Sequence, residues 1–143
     1  TNYKINSIFY HLADVCQLHT VLHDDDRNVS HHDPYKTECD QNLNSDWYRF
    51  LDIPGITMPT ECPHDNTCGT TFPGWLNGDH PTVDEGEVKG TVCFSKGSNR
   101  CCEETSFIRV KNCSSFYVYY LVPTNAPIVT VSHITEHHKT VEC

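Results

Sequence analysis

The cysteines constrain this chain more than any other feature: nine of its 143 residues are cysteine, and two of them, Cys101 and Cys102, are adjacent. A reducing compartment would leave nine reactive thiols, whereas an oxidising compartment converts them into cross-links. Structural zinc sites usually draw on close pairs of the C-x-x-C kind, and the closest separated pair here is Cys62 and Cys68. The pattern therefore predicts a secreted protein held by disulfide bonds.

Length and charge narrow the class of protein further. A chain of this length can form one domain with a buried core, and a hydrophobic content of 37% fits a globular fold. The net charge of −9 disfavours nucleic acid as a partner, because phosphate binding needs a basic face. No apolar run is long enough for a signal peptide or a membrane span. We therefore expect a mature secreted chain, or a fragment of a longer one.

Short apolar segments, punctuated by proline and glycine, predict strands rather than long helices. The spacing of apolar residues over 5–12 slightly favours one N-terminal helix, and the polar stretch over 16–39 predicts an exposed loop. The predicted strands are 46–51, 88–94, 107–111, 115–122 and 128–134. The short separation of the third and fourth strands predicts a tight antiparallel pair. The expected fold is an all-β, disulfide-rich antiparallel domain with long irregular loops and little helix.

A series of short motifs follows in a fixed order along about three quarters of the chain. The motifs are Cys16-Gln17-Leu18-His19, Cys39-Asp40, Trp47-Tyr48-Arg49-Phe50, Met58-Pro59, Cys68-Gly69, Trp75-Leu76-Asn77-Gly78, His80-Pro81, Asp84-Glu85-Gly86, Cys101-Cys102, Val110-Lys111-Asn112-Cys113 and Phe116-Tyr117-Val118-Tyr119. Each motif alone is weak, but together they resemble the ten-cysteine extracellular module of uromodulin and the pancreatic zymogen-granule membrane glycoprotein.

This resemblance implies a β-rich module that is not an enzyme. It divides the chain into an N-terminal arm over 1–15, a uromodulin-like cysteine-rich domain over 16–123, and a C-terminal β-forming, histidine-rich tail over 124–143. It also implies three disulfides, which are Cys16–Cys113, Cys62–Cys101 and Cys93–Cys102.

The remaining cysteines depart from the family pattern. In the family, the counterparts of Cys39 and Cys68 bond to two cysteines just after the last aromatic strand, where this chain has none. Only Cys143 follows, much later. We infer that Cys39 bonds to Cys68 and that Cys143 is left unpaired, pairs outside this chain, or forms an interchain bond that gives a disulfide-linked homodimer. In the alternative arrangement Cys143 bonds to Cys39 or Cys68.

Two sequons make Asn28 and Asn112 candidate glycosylation sites, the first of them in the polar loop. In uromodulin and its pancreatic relative, the motif matching Trp75-Leu76-Asn77-Gly78 carries a sequon whose glycan acts as a decoy for mannose-binding bacterial adhesins. Here Asp79 stands where serine or threonine is needed, so Asn77 should carry no glycan. A decoy role would then depend on a glycan at Asn28 or Asn112.

Histidine and aspartate suggest a divalent metal site, the single cofactor that the sequence raises. The candidate ligands are His23, Asp25, His31, His133 and His137. The competing interpretation, which we favour, is a solvated acidic loop and a polar tail without bound metal. The acidic run at 84–87 is better explained as a glycine-containing turn than as a catalytic acid pair.

The leading functional hypothesis is a secreted, non-catalytic interaction module that presents glycans or forms assemblies. Its partners would be extracellular proteins or glycans, with no nucleic acid and no membrane span. One alternative is a lectin-like protein that stacks a sugar on Trp75. The other is a metal-binding extracellular matrix protein that uses the histidine- and aspartate-rich segments.

Overall fold

The computed structural model describes residues 14–23, 27, 40–51, 56–64, 67, 70–97, 99–124, 129–131 and 134–135. The predicted helix over 5–12 lies outside these residues. The strands are β1 (Thr20–Leu22), β2 (Asp46–Phe50), β3 (Ile56–Thr57), β4 (Phe72–Leu76), β5 (Glu87–Phe94), β6 (Glu104–Asn112), β7 (Tyr117–Leu121), β8 (Val129–Val131) and β9 (Ile134–Thr135), with a 3₁₀ turn at Asp40–Asn42. The predicted all-β, disulfide-rich class is confirmed.

Seven of the strands form one sheet in the order β1-β2-β7-β6-β5-β4-β8, and β3 pairs with β9 in a separate ribbon. The five central strands are antiparallel to one another, but the two outermost pairs, β1 with β2 and β4 with β8, are parallel. The tight antiparallel pairing of β6 with β7 is confirmed. Strand β8 extends the sheet beyond residue 123. No helix within the described part of the chain has the length and hydropathy needed to cross a bilayer.

Side chains alternate between the two faces of the sheet, as the pleat of a strand requires. One face builds the core, whose largest fully buried side chains include Tyr119, Phe50, Met58 and Leu121. Burying such a side chain contributes roughly 1.5–3 kcal/mol relative to leaving it in water. The opposite face, which we call the outer face, receives the residues between the core positions.

Strand β4 was not predicted, because Pro73 and Gly74 interrupt its pattern and both usually argue against a strand. Packing explains the glycine. A Cβ atom at Gly74 would lie 2.7 Å from Cε1 of Phe94, so only glycine lets this ring pack against the β4 backbone. Antiparallel pairing of β4 with β5 then brings Trp75 opposite Cys93.

Candidate functional site: the outer face of the sheet

The outer face carries a line of side chains across four strands, and most of them are aromatic or basic. Its members are Trp47 and Arg49 on β2, Glu87 and Lys89 on β5, Phe107, Arg109 and Lys111 on β6, and Val118 and Tyr120 on β7. Strand register places them side by side, since Tyr120 is opposite both Trp47 and Arg109, and Arg109 is opposite Lys89. Cross-strand pairs of this kind interact directly on a sheet surface.

Arg109 organises the centre of this face. Its guanidinium carbon lies 4.2 Å from the ring centroid of Tyr120 and 5.2 Å from that of Trp47. The two rings meet edge to face with their centroids 5.7 Å apart. On its other side, Arg109 donates a 2.7 Å hydrogen bond to Oε1 of Glu87. The cation is therefore fixed between a carboxylate and two aromatic rings, and its orientation is set in advance of any binding event.

Lys89 and Phe107 form a second stack beside the first. The Lys89 ammonium lies 3.9 Å from the Phe107 ring centroid, and the Phe107 side chain is 60% exposed. Within the part of the chain that the structure describes, no carboxylate forms an ion pair with Lys89. Water therefore reaches both a large apolar ring and a cation that has no acidic partner there.

An open groove of about 380 Å³ runs between these two stacks. The outer-face side chains that line it are Glu87, Lys89, Phe107, Arg109, Tyr120 and Val122. Its surface is mostly apolar, and its charged atoms belong to three residues on neighbouring positions of β5 and β6. A groove of this composition suits a ligand that inserts one apolar group and places a charged group beside it.

Two further cations extend the basic character of the outer face. The guanidinium carbon of Arg49 lies 3.9 Å from the Phe116 ring centroid. The Lys111 ammonium donates to Oδ1 of Asp14 at 2.7 Å, and this hydrogen bond holds the pKa of the Asp14 carboxyl below its usual value. Four of the ten basic residues of an acidic chain thus lie on one face of the sheet.

Disulfides secure the ends of the strands that carry this face. The structure contains Cys16–Cys113, Cys62–Cys101 and Cys93–Cys102, the same three pairs that the family resemblance implied. The first attaches the 14–18 turn to the end of β6. The other two fasten the 101–102 corner to β5 and to the segment after β3.

Trp75, the residue proposed to stack on sugar, lies on β4 against this corner. Its side chain is half-buried, and its indole Nε1 donates a 2.7 Å hydrogen bond to the Cys101 carbonyl. The only polar atom of the side chain is therefore already bonded within the protein. A ligand role for Trp75 stays a prediction that would involve the ring surface alone.

The second predicted glycosylation site, Asn112, lies at the end of β6 with a half-buried side chain. Its Nδ2 donates to the Pro81 carbonyl at 2.9 Å and to the Tyr117 hydroxyl at 3.3 Å. A glycan replaces one hydrogen of this amide nitrogen and would compete with these bonds. Asn77, the counterpart of the family's decoy site, is exposed at the end of β4.

Most of the other predicted site residues lie outside the described residues. They are Asp25, Asn28, His31, Cys39, Cys68, His133, His137 and Cys143. Of the metal candidates, His23 is described and is exposed just after β1. Among the described residues, no three histidine, cysteine or acidic side chains come together in a group suited to a metal ion.

The acidic run at 84–87 forms part of a turn, as its sequence predicted. Oε2 of Glu85 accepts hydrogen bonds from the backbone nitrogen and the hydroxyl of Thr82, at 2.8 and 2.9 Å. These bonds lower the pKa of the Glu85 carboxyl. Gly86 follows with φ +66°, a conformation that residues with a Cβ rarely adopt. The turn shapes the entry into β5 and so positions Glu87 and Lys89.

A half-buried histidine, His80, joins the loop after β4 to the core. His80 Nε2 lies 2.9 Å from the hydroxyl of Tyr119, which also accepts the backbone N–H of Met58 at 3.0 Å. The His80 ring packs on Tyr117 with centroids 4.5 Å apart. Burial lowers the pKa of His80 although the neighbouring Asp79 carboxylate opposes this shift, and burial raises the pKa of Tyr119. Which of the two groups donates in this hydrogen bond depends on the tautomer of the neutral His80 ring.

We expect this contact to make the domain sensitive to acid. Because the pKa of His80 is lower in the folded state, the unfolded chain takes up the proton first, and stability falls as the pH drops through the ordinary histidine value of about 6.5. His80→Gln keeps a side chain that can form this hydrogen bond and that stays uncharged over this pH range. Denaturant unfolding on both sides of that pH should show a smaller pH effect in His80→Gln than in the unmodified protein. Equal pH effects in the two proteins would contradict this role.

Comparison with known proteins places these features in a family context. A family model described as a uromodulin-like domain matches residues 48–131, which run from within β2 to the end of β8 and include most of the outer face. The chain is 40% identical over 115 residues to the pancreatic secretory granule membrane major glycoprotein GP2 of Mus musculus, an alignment that covers 78% of this chain and 21% of that protein.

Uromodulin gives a similar result. The chain is 38% identical over 99 residues to uromodulin of Mus musculus, covering 68% of this chain and 15% of that protein. It is 35% identical over 124 residues to uromodulin of Rattus norvegicus, covering 86% of this chain and 18% of that protein. The chain therefore spans about a fifth of the length of these relatives, or less.

Proposed function

This chain belongs to the family of uromodulin-like domains, and from that premise we propose that it is an extracellular, non-catalytic module that binds a partner through the outer face. The observation that carries the proposal is the exposed Lys89–Phe107 stack beside the fixed Arg109. Aromatic residues and arginine are enriched among the interface residues that contribute most of the binding energy between proteins.

The disulfides, the name of one relative and the pairing of the acidic side chains support the same proposal. The three disulfides suit an oxidising extracellular setting. One relative is named as a glycoprotein of the secretory granule membrane, which agrees with passage through the secretory pathway. The acidic side chain of Glu85 is bonded into a turn, and that of Glu87 is paired with Arg109. Binding, rather than acid–base chemistry, is the use that this arrangement favours.

The glycan that this module presents would lie at Asn28 rather than at Asn112. Asn28 belongs to a polar segment of the sequence, whereas the Asn112 amide already donates two hydrogen bonds. The proposal also keeps Cys143 as a tether that forms an interchain bond. These two features would let the domain act in an extracellular assembly.

Saturation binding of the secreted protein to decellularised extracellular matrix tests the proposed function. We expect saturable binding that Phe107→Ala weakens by about tenfold, since truncating a central aromatic residue of an interface commonly costs more than about 1 kcal/mol. Val83→Ala is the matched control, because Val83 is an exposed apolar residue outside the groove. The intact mass of the same protein, measured before and after reduction, shows whether an interchain bond is present. Its mass before and after endoglycosidase treatment shows whether a glycan is present.

Binding that does not saturate, or that Phe107→Ala and Val83→Ala affect equally, would overturn the proposal that the outer face is the binding site. An intact mass that does not change on endoglycosidase treatment would contradict the proposed glycan at Asn28. A monomer mass in the absence of reductant would contradict the proposed interchain bond at Cys143. These two results leave the binding face untouched, so each part of the proposal is decided separately.

A further inference from the structure

We propose that the groove of the outer face binds an acidic segment of a partner protein that inserts one apolar side chain between Phe107 and Tyr120 and places a carboxylate against Lys89. This inference rests on the proposed function, and it adds the chemical class of the partner. Four properties of the molecule support it: the lining of the groove, its charge, the order of its side chains, and the charge of the whole chain.

The lining selects a peptide over a sugar. Phe107, Tyr120 and Val122 present carbon atoms to the groove, and Arg109 is already bonded to Glu87. A carbohydrate exposes many hydroxyl groups, and each one that is buried without a hydrogen bond weakens binding. An aliphatic or aromatic side chain has no such requirement. Its burial against these carbon atoms removes apolar surface from water, which favours binding.

The free cation selects the sign of the partner's charge. Glu87 neutralises Arg109 and Asp14 pairs with Lys111, whereas Lys89 and Arg49 have no carboxylate partner in the described part of the chain. An apolar group that covers Phe107 would also exclude water from the Lys89 ammonium. A cation in such a site interacts more strongly with a carboxylate, because the local dielectric is lower than in bulk water.

The side chains of the groove are ordered before the partner arrives. Arg109 is held by the carboxylate of Glu87 at 2.7 Å and by the ring of Tyr120, and Lys89 rests on Phe107. Binding therefore immobilises few additional rotamers, which lowers the entropic cost of association. The rest of the chain adds discrimination: a net charge of −9 repels acidic partners from most of the surface, so an acidic segment is directed to this basic face.

A series of short synthetic peptides tests the partner's chemistry on the intact secreted chain. The central residue is phenylalanine, leucine, glycine or serine, and the flanking residues are glutamate, glutamine or lysine. We expect the tightest binding from phenylalanine or leucine between glutamates, and binding about tenfold weaker when the flanks are glutamine or the centre is glycine. Lys89→Glu should reverse the preference for glutamate over lysine flanks, since opposite charges attract and like charges repel.

Arg100→Glu is the matched charge reversal. Arg100 is exposed in the turn between β5 and β6, outside the groove. The Arg100→Glu variant should bind the peptides with the same ranking of affinities as the unmodified protein. A sialylated trisaccharide and the protein's own self-association, measured by sedimentation, complete the series. Sugar binding that Phe107→Ala abolishes, or a dimer that Phe107→Ala dissociates, would overturn the acidic segment as the occupant.

Failure of this inference differs from failure of the proposed function. If no peptide preference appears while Phe107→Ala still weakens binding to the matrix, the partner is not an acidic segment and the outer face remains the binding site. If Phe107→Ala changes neither measurement, both proposals fail. Preference for acidic, apolar peptides that Lys89→Glu reverses would support both.

Discussion

Replacing Cys16 and Cys113 together with alanine is expected to lower the free energy of unfolding by about 4 kcal/mol. The bond joins residues separated by 97 positions, and it attaches the 14–18 turn to the junction between β6 and β7. The Cys62–Cys101 bond shortens the path between the two cysteines in the unfolded chain. The entropic benefit depends only on the logarithm of loop length, so most of it remains. Denaturant unfolding without reductant measures the change.

Lys111→Met is the control for this prediction. It breaks the neighbouring ion pair with Asp14, whose atoms are 2.7 Å apart at the same junction. Since the two side chains are 27% and 49% exposed, solvent screens the pair, and its loss should cost less than about 1 kcal/mol. A double alanine variant no less stable than Lys111→Met would show that the covalent bond does not anchor this end of the sheet.

Breaking the buried ion pair between Arg27 and Asp40 is the second change with a large expected effect. Arg27 Nη1 lies 2.7 Å from Oδ1 of Asp40, and the two side chains are 9% and 1% exposed. Removal of Asp40 takes a carboxylate away from a guanidinium that stays buried, and removal of Arg27 does the reverse. Asp40→Ala should therefore lower the free energy of unfolding by about 3–5 kcal/mol. The expected loss exceeds that of any exposed ion pair in the described residues.

The double variant Arg27→Met with Asp40→Leu separates charge from packing. Apolar residues of similar volume can replace a buried ion pair at little cost, so the double variant should recover most of the stability that Asp40→Ala loses. Thermal and denaturant unfolding of the single and double variants gives the comparison. A double variant as unstable as Asp40→Ala would contradict the ion-pair explanation and would instead indicate a packing role for these side chains.

Much of the sheet could be predicted from the sequence, because its central strands have strong local signals. The alternation at 107–111 and the aromatic, β-branched run at 115–122 match β6 and β7, and the short link between them matches their antiparallel pairing. Strand β4 could not be predicted in this way. Pro73 and Gly74 have low strand propensity, and the glycine is required by packing against Phe94, which is distant in sequence. Tertiary packing overrides local preference there.

The candidate site was only partly visible in the sequence. Alternation of apolar and basic residues in β6 was apparent, but Phe107 shares a face with Arg109 and belongs to the outer face rather than to the core. Its contact with Lys89 requires the register of β5 against β6, which a single sequence does not supply. The residue type of Trp75 predicts a stacking contact with sugar, whereas its hydrogen bond to Cys101 depends on the position of a disulfide-bonded corner.

Site-specific photo-cross-linking tests the central claim, which is that the outer face binds the partner. A benzophenone amino acid placed at Val122 lies in the wall of the groove, and the same amino acid at Val83 lies in the turn before β5. With each protein bound to extracellular matrix, we predict an adduct from position 122 that excess unlabelled protein suppresses, and none from position 83. An adduct from position 83 alone, or equal adducts from both positions, would contradict the account.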